Sequence, residues 1–178
     1  MQVFALKGDL DWSERTYASL QAGEGRFGWS YMIGDDGKPL GDADLRRLKS
    51  KIDTTGWNTL TKDEQDRYQS FLLDLKDKDW VIYVNVPKWG LCTLAQVTGP
   101  YYWEQKDQDF NHCFPVDPKS VREFDRNYTI VYPYLSARLK LQGRFWRIEA
   151  EEEFKALLAG LDSSDVRQIR TPYRMHIS

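Results

Sequence analysis

Apolar residues recur along this chain with two different spacings. Recurrence after three or four residues, which places side chains on one face of a helix, predicts helices over residues 13–20, 42–55, 61–75 and 151–161. Short apolar runs bounded by turn residues predict strands over residues 3–8, 80–86, 91–97, 114–116, 121–124 and 146–148. Pro133 is expected to open one more short helix, because its fixed φ suits a first helical turn.

Capping and turn residues set the predicted boundaries of these elements. Ser13 is expected to cap the first helix, and Thr61 with Glu64 three residues later matches a capping box. The glycines of residues 23–25 are typical of a turn. Residues 88–90 are expected to form the loop of a hairpin between the strands at 80–86 and 91–97.

The order of the predicted elements is a strand, three helices, a run of strands and a closing helix. This order predicts an α+β fold, built around a curved antiparallel sheet or small barrel with flanking helices. One domain is expected to occupy residues 1–161, because a chain of this length can bury a single sufficient core. The polar residues 162–178 are expected to form a tail or a linker.

Composition narrows the class of protein. The chain has 178 residues, of which 41% are hydrophobic, and it contains no apolar run long enough to span a bilayer and no signal-peptide pattern. A soluble, cytoplasmic protein that does not bind membranes is therefore expected. The net charge of −2 means that any nucleic-acid site must be a local patch. Cys92 and Cys113 lie far apart, so no metal site is expected.

The segment Arg26-Phe27-Gly28-Trp29-Ser30 sets a large aromatic residue between a glycine and a hydroxyl residue. Beside glycines, the backbone can bend sharply and another molecule can approach closely. Trp29 is therefore a candidate to face a ligand. The alternative, that Trp29 is a core residue, remains open because large aromatic side chains are usually buried.

Several segments, in their order, resemble a known superfamily. Residues 4–9, a helix and then Gly28-Trp29-Ser30 are similar to the opening of YTH domains, where a strand ending in lysine precedes a Gly-x-Trp-Ser/Ala motif. The hairpin with residues 90–97, and residues 109–116 after it, are similar to later parts of the same domains. The chain thus resembles the PUA-like superfamily, especially its YTH and EVE branches. It departs from YTH domains at Gly8-Asp9 and in its acidic surface.

This resemblance implies a reader that holds a modified base in an aromatic pocket, with a methylated base favoured and the base flipped out or single-stranded. The implied walls are Trp29 and Trp103, with Tyr102 and Phe110 as substitutes. The groups implied to contact the base edge are Asp9, Ser30 and Lys7. DNA is favoured over RNA, no cofactor and no catalysis are expected, and the chain would be the specificity module of a modification-dependent restriction or defence system. A fused or associated nuclease is compatible with this role.

Basic residues in an otherwise acidic chain are candidates for phosphate contacts, or else form a solvated face. They are Arg26, Arg138, Lys140, Arg144 and Arg147. Two other functions remain open. One is a thiol-dependent enzyme that uses Cys113 and His112 with Asp109. The other is a protein-interaction module that uses Trp89 and exposed tyrosines, without nucleic acid.

Overall fold

The computed structural model of the chain describes residues 1–28, 33–68, 70–106 and 109–163. Within these ranges the strands and α-helices follow one another in the order β1 (Val3–Leu6), α1 (Ser13–Gln21), β2 (Glu24–Phe27), α2 (Asp42–Thr55), α3 (Lys62–Arg67), α4 (Ser70–Asp74), β3 (Trp80–Val84), β4 (Leu91–Gln96), β5 (Tyr102–Trp103), β6 (His112–Pro115), β7 (Arg122–Asp125), α5 (Pro133–Arg138), β8 (Phe145–Arg147) and α6 (Glu151–Leu161). The predicted α+β class is confirmed.

The strands of the described ranges form two sheets. The larger has the order β7-β4-β3-β1-β8, and the smaller has the order β2-β6-β5. β1 pairs with β3 in parallel, whereas all other named pairs are antiparallel. The larger sheet is therefore mixed and not purely antiparallel as predicted, and the described strands do not close a barrel. The parallel pair follows from the long, mainly helical crossover between β1 and β3, since a hairpin turn can only join antiparallel strands.

The larger sheet has a core on each of its faces. Since successive side chains of a strand point to opposite faces, they belong to the two cores in turn. Phe4 and Leu6 of β1 belong to a core shared with α1, α2 and the smaller sheet. Val3 and Ala5 belong to a second core with α5 and α6. β3 is buried in the same alternating way, and its position confirms the strand predicted over residues 80–86.

The helix boundaries confirm some predicted signals and correct others. The capping box is confirmed, because Thr61 Oγ1 accepts a hydrogen bond from Glu64 N at 3.1 Å and Glu64 Oε1 accepts one from Thr61 N at 3.0 Å. The single helix over 61–75 was wrong: α3 ends where Tyr68 takes an extended conformation, and the Tyr68 ring contacts Trp57 there. Ser13 does not cap α1 with its side chain, because its hydroxyl donates to Leu10 O of a preceding 3₁₀ turn.

The strand β2 was missed, because residues 23–25 were predicted to form a turn. Gly25 lies instead within β2, opposite Phe114 of β6. A Cβ atom at Gly25 would lie only 2.2 Å from the Phe114 ring. Glycine therefore serves close packing here, since its lack of a side chain makes room for the ring across the strand.

The remaining predicted elements agree with the structure. The hairpin, the strands near residues 114, 122 and 146, and the helices α5 and α6 are confirmed. Most of the predicted tail, residues 164–178, lies outside the described residues. Across the described ranges, no helix combines the length and the apolar character that a membrane crossing requires.

Candidate binding pocket

A pocket lies where the carboxyl ends of β1, β2 and β3 meet the loop before β6. Its lining comes from residues 8–16, 26–28, 83–86 and 109–110 and from Arg144, which are far apart in sequence. The cavity volume is about 30 Å³. This volume holds ordered water but not a nucleobase, so a larger ligand must displace side chains at the mouth.

Two aromatic rings form one wall of this pocket. The centroids of Trp12 and Phe110 lie 4.9 Å apart with an interplanar angle of 36°. The guanidinium of Arg15 lies 4.3 Å from the Trp12 centroid and stacks on that ring. The predicted pocket residue Phe110 therefore does line the pocket. Trp12 was missed, although its position just before the first helix, outside the apolar stripe, is a usable signal.

The backbone at the pocket includes two residues in the left-handed region. Phe110 has a φ of 77° and Asn85 has a φ of 61°. Such conformations are strained for residues other than glycine and persist only where neighbouring groups hold them. Arg26 Nε donates to Phe110 O at 2.9 Å, and Gly90 N donates to Asn85 Oδ1 at 3.0 Å. Both strained residues are thus fixed in place at the pocket.

Gly28 allows the end of β2 to lie directly against the loop before β6. A Cβ atom there would lie 2.5 Å from Asp109 Oδ1 and 2.6 Å from Phe110 N. The close approach that was expected beside this glycine is therefore made by the chain's own loop. Trp29 and Ser30, the predicted wall and edge residues that follow Gly28, lie outside the described residues.

Arg26 is a structural residue of the pocket and not an exposed phosphate ligand. The residue is 5% exposed. Its Nη1 donates to Glu24 Oε1 at 2.6 Å, and its Nη2 donates to Glu104 O at 3.3 Å. With the bond to Phe110 O, these contacts tie the loop before β6 to β2. A phosphate could reach this guanidinium only if they were broken.

The mouth of the pocket carries a charged pair and an amide. Arg144 Nη1 lies 3.1 Å from Asp9 Oδ1, and both side chains are well exposed. Asp9, predicted to contact a base edge, therefore lines the pocket while paired with a predicted phosphate ligand. Asn85 lines the pocket too. Because Asn85 Oδ1 accepts from Gly90, its Nδ2 amide remains as a donor.

The other predicted basic residues do not gather at this mouth. Arg147 lies opposite Phe4 in the β1–β8 ladder, toward the far end of the sheet. Arg138 lies at the end of α5 with its guanidinium 5.7 Å from the Tyr134 centroid, and Lys140 is exposed on the following turn. Lys7 lines an open groove beside the pocket, together with Arg144.

Trp103 and Tyr102, predicted as pocket walls, do not line the pocket. Trp103 pairs with His112 in the β5–β6 ladder, and its ring meets the His112 ring edge-on at 4.9 Å. Tyr102 donates from its hydroxyl to Glu24 Oε2 at 2.5 Å. Although burial acts to raise it, hydrogen bonds from Tyr102 and Arg26 lower the pKa of Glu24. Pairing across the smaller sheet therefore directs these two side chains away from the pocket.

The residues predicted for a thiol-dependent enzyme have other partners, and the Cys113 thiol donates to Asn111 O at 3.4 Å. His112 Nδ1 is 2.8 Å from Tyr101 Oη, its Nε2 is 2.7 Å from Leu40 O, and burial lowers the pKa of His112 to about 4. Burial raises the pKa of Cys113 to about 11, so its reactive thiolate form is scarce at neutral pH. Asp109 lines the pocket.

Three potential metal ligands come together near the smaller sheet. Oxygen and sulfur atoms of Glu24, Glu104 and Cys113 lie within 4.8 Å of one another. The Arg26 guanidinium lies 2.6 Å from Glu24 and 4.0 Å from Glu104. Lys106 Nζ lies 3.1 Å from Glu104 Oε1, so two cations of the protein itself balance these two carboxylates.

The described residues define an α+β protein with a narrow pocket that has one aromatic wall and a polar mouth. No family model, no curated protein and no solved structure matches this chain. The function that the pocket serves is therefore inferred from its own residues and from the resemblance noted in the sequence.

Proposed function

We propose that this chain is a nucleic-acid-binding domain that accommodates a modified base, with a methylated base favoured, in the pocket. The base would be flipped out of a duplex or already single-stranded, and the chain would carry out no chemistry on it. The observation that carries the proposal is the meeting, in one pocket, of the Trp12–Phe110 wall, the Asn85 amide and the Asp9 carboxylate.

The aromatic wall supports binding of a flat ring. A base that stacks on an aromatic side chain gains about 1–3 kcal/mol, and an apolar surface can also contact a methyl group that water solvates poorly. Because Trp12 and Phe110 contact each other, they form a single wall. Trp29 stays the candidate for the opposite wall, since it directly follows Gly28 of the pocket lining.

The polar groups at the mouth support recognition of an amino-bearing base. A carboxylate accepts hydrogen bonds from the exocyclic amino group of cytosine or adenine, and an amide can donate to a ring nitrogen or carbonyl. Entry of a base would separate Asp9 from Arg144. Asp9 would then contact the base, and Arg144, which is exposed at the mouth, would contact a phosphate.

The family, the location and the biological role of the chain are part of the same proposal. We infer a PUA-like domain of the YTH/EVE type that works in the cytoplasm as the specificity part of a restriction or defence system, with DNA favoured over RNA. The sequence resemblance supports this choice, and DNA in place of RNA is compatible with the departures from YTH domains at Gly8-Asp9 and in the net charge of −2. A fused or associated nuclease would supply cleavage.

A panel of labelled oligonucleotides tests the proposal. We would titrate single strands dT4-X-dT4 by fluorescence anisotropy, with cytosine, 5-methylcytosine, 5-hydroxymethylcytosine, adenine or N6-methyladenine at X. One modified base should bind at least about tenfold more tightly than its unmodified form. Asp9→Asn and Trp12→Ala should reduce this preference, whereas Trp57→Ala, which removes an exposed indole away from the pocket, should not. Equal binding of all five strands would refute the proposal.

A protein-interaction module is the second candidate. The exposed aromatic residues Trp89, Tyr132 and Tyr134 favour it, with exposed fractions of 65%, 50% and 50%. The same titration separates the two candidates, because an interaction module binds none of the five strands at low salt.

A further inference from the structure

An open groove continues from the pocket toward the tip of the β3–β4 hairpin. Groove and pocket share Gly8, Asp9, Asn85 and Arg144, and the groove extends from them to Trp89. Its volume is about 540 Å³, within the range of small-molecule sites of about 300–1,000 Å³. A ligand that fills the pocket therefore has space for its next unit in the groove.

Trp89 is the most exposed of the large apolar side chains in the described ranges, at 65%. Single exposed apolar residues are common, but this one lies in a turn that hydrogen bonds hold in place. Val86 N donates to Leu91 O at 3.1 Å, and Gly90 N donates to Asn85 Oδ1 at 3.0 Å, so backbone and side chain both close the turn. The indole is thus held at the end of the groove.

The two faces of the Trp89 ring differ. The guanidinium of Arg126 lies over the ring, 5.5 Å from its centroid. A cation on one face holds the ring by a cation–π interaction and leaves the opposite face for stacking. A nucleobase fits such a face, since every base presents a flat π surface.

We propose that Trp89 is a stacking platform for the unpaired nucleobase next to the one in the pocket, and that Lys7 and Arg144 contact the phosphate between the two. This inference rests on the proposed function. Lys7 and Arg144 line the groove together with Asp9 and Asp11, so the charges nearly balance. Stacking on Trp89, more than charge, therefore supplies the affinity in the groove.

The test combines Trp89→Ala with an abasic neighbour in the strands dT4-X-dT4. For the wild-type chain, removing the base on one side of X should weaken binding about tenfold. Trp89→Ala should weaken binding of the intact strand about tenfold, and the abasic neighbour should then cause no further loss. Trp89→Phe should retain most of the affinity, which keeps the test valid if the alanine variant folds poorly. Trp57→Ala is the matched control for the loss of an exposed indole.

The outcomes separate the platform from the pocket. If binding depends on the modification but Trp89→Ala binds every strand as tightly as the wild type, the platform is overturned and the proposed function stands. If binding ignores the modification but falls with either change at the platform, the platform is supported and modified-base recognition fails. If the wild-type chain binds none of the strands, both are overturned.

Discussion

Two regions of this molecule both bring aromatic rings together but differ in how their polar groups are used. The pocket combines the Trp12–Phe110 wall with strained backbone at Phe110 and a charged pair at its mouth. In the inner aromatic cluster, which consists of Tyr101, Trp103 and His112, the His112 ring stacks on Tyr101 at a centroid distance of 5.7 Å and meets Trp103 edge-on at 4.9 Å. The Trp12–Phe110 wall lines the pocket, whereas Tyr101, Trp103 and His112 are not part of that pocket's lining.

In the inner aromatic cluster, the polar atoms of the imidazole are satisfied from within the protein. His112 lies between the Tyr101 hydroxyl and the Leu40 carbonyl and is 1% exposed. In the pocket, by contrast, Asp9 and Arg144 form an ion pair at the surface, where water and ligands can reach both groups. The hydrogen-bond partners and the exposure of the polar groups, rather than the number of aromatic rings, therefore distinguish a binding region from a core region.

The largest effect is expected for Arg26→Ala, which would break the frame that holds the pocket. This change leaves Glu24 and the Phe110 carbonyl without their guanidinium partner. Removal of one member of a buried pair is strongly destabilising, so the free energy of unfolding should fall by about 3 kcal/mol. Urea unfolding followed by tryptophan fluorescence measures it. Arg46→Ala, which breaks an exposed ion pair with Asp42, is the control and should change it by less than about 1 kcal/mol. A stable Arg26→Ala chain with weakened nucleic-acid binding would restore Arg26 as a phosphate ligand.

Acid should destabilise the inner aromatic cluster. Burial lowers the pKa of His112 to about 4, whereas an unfolded histidine has a pKa of about 6.5. Below the unfolded pKa, only the unfolded chain takes up this proton, so stability is lost as the pH falls toward the folded pKa. Between about pH 7.5 and about pH 5 the loss from His112 should be about 2 kcal/mol.

The measurement compares urea unfolding of the wild type and of His112→Asn at both pH values. The asparagine variant is less stable at neutral pH but lacks the titrating group, so its stability should fall less between the two pH values. Carboxylates titrate alike in both chains and cancel in this difference. Equal pH dependence of the two chains would mean that His112 can be protonated in the folded state.

The third prediction is that two tryptophans have different roles, Trp12 in binding and Trp103 in stability. Trp12→Ala removes part of the pocket wall and should weaken binding of the preferred strand about tenfold, with a modest loss of stability. Trp103→Ala removes the ring that contacts His112 and should lower the free energy of unfolding by about 1–2 kcal/mol while leaving binding unchanged. Anisotropy titration measures the affinity of both variants, and urea unfolding measures their free energy of unfolding. Loss of binding only in Trp103→Ala would reverse the assignment of the two regions.

Local patterns predicted most of the fold, and long-range contacts account for what they missed. The helix α6 and the hairpin of β3 and β4 were predicted because apolar spacing and turn residues lie within each segment. β2 was missed because Gly25 was read as a turn residue. A glycine is needed there to make room for the Phe114 ring, which lies 89 positions later in the sequence. The helices of the crossover between β1 and β3 were predicted, but the parallel pairing of Val3 with Trp80, 77 positions apart, was not, because local patterns do not show which strands pair.

The site was predictable in part for the same reason. Asp9 and Phe110 were named from their order relative to neighbouring motifs, and both line the pocket. Trp103 was misplaced because its contact with His112 arises from strand pairing. Asn85 was not predicted as a pocket residue. Its place there depends on a left-handed backbone conformation, which the sequence alone does not show for an asparagine.

The smallest effect on stability, and the sharpest test of the pocket, is expected for Asn85→Gly. Glycine adopts the observed φ of 61° without strain, which offsets the lost hydrogen bond to Gly90, so stability should change by less than about 1 kcal/mol. Binding of the preferred strand should still weaken about fivefold, because the amide donor is gone. Lys78→Gly is the matched control: Lys78 also has a positive φ, of 76°, but lies away from the pocket lining. That variant should bind normally and be slightly more stable. If both glycine variants bind as the wild type does, the strained turn at Asn85 supports only the hairpin, and Asp9 alone remains to contact the base edge.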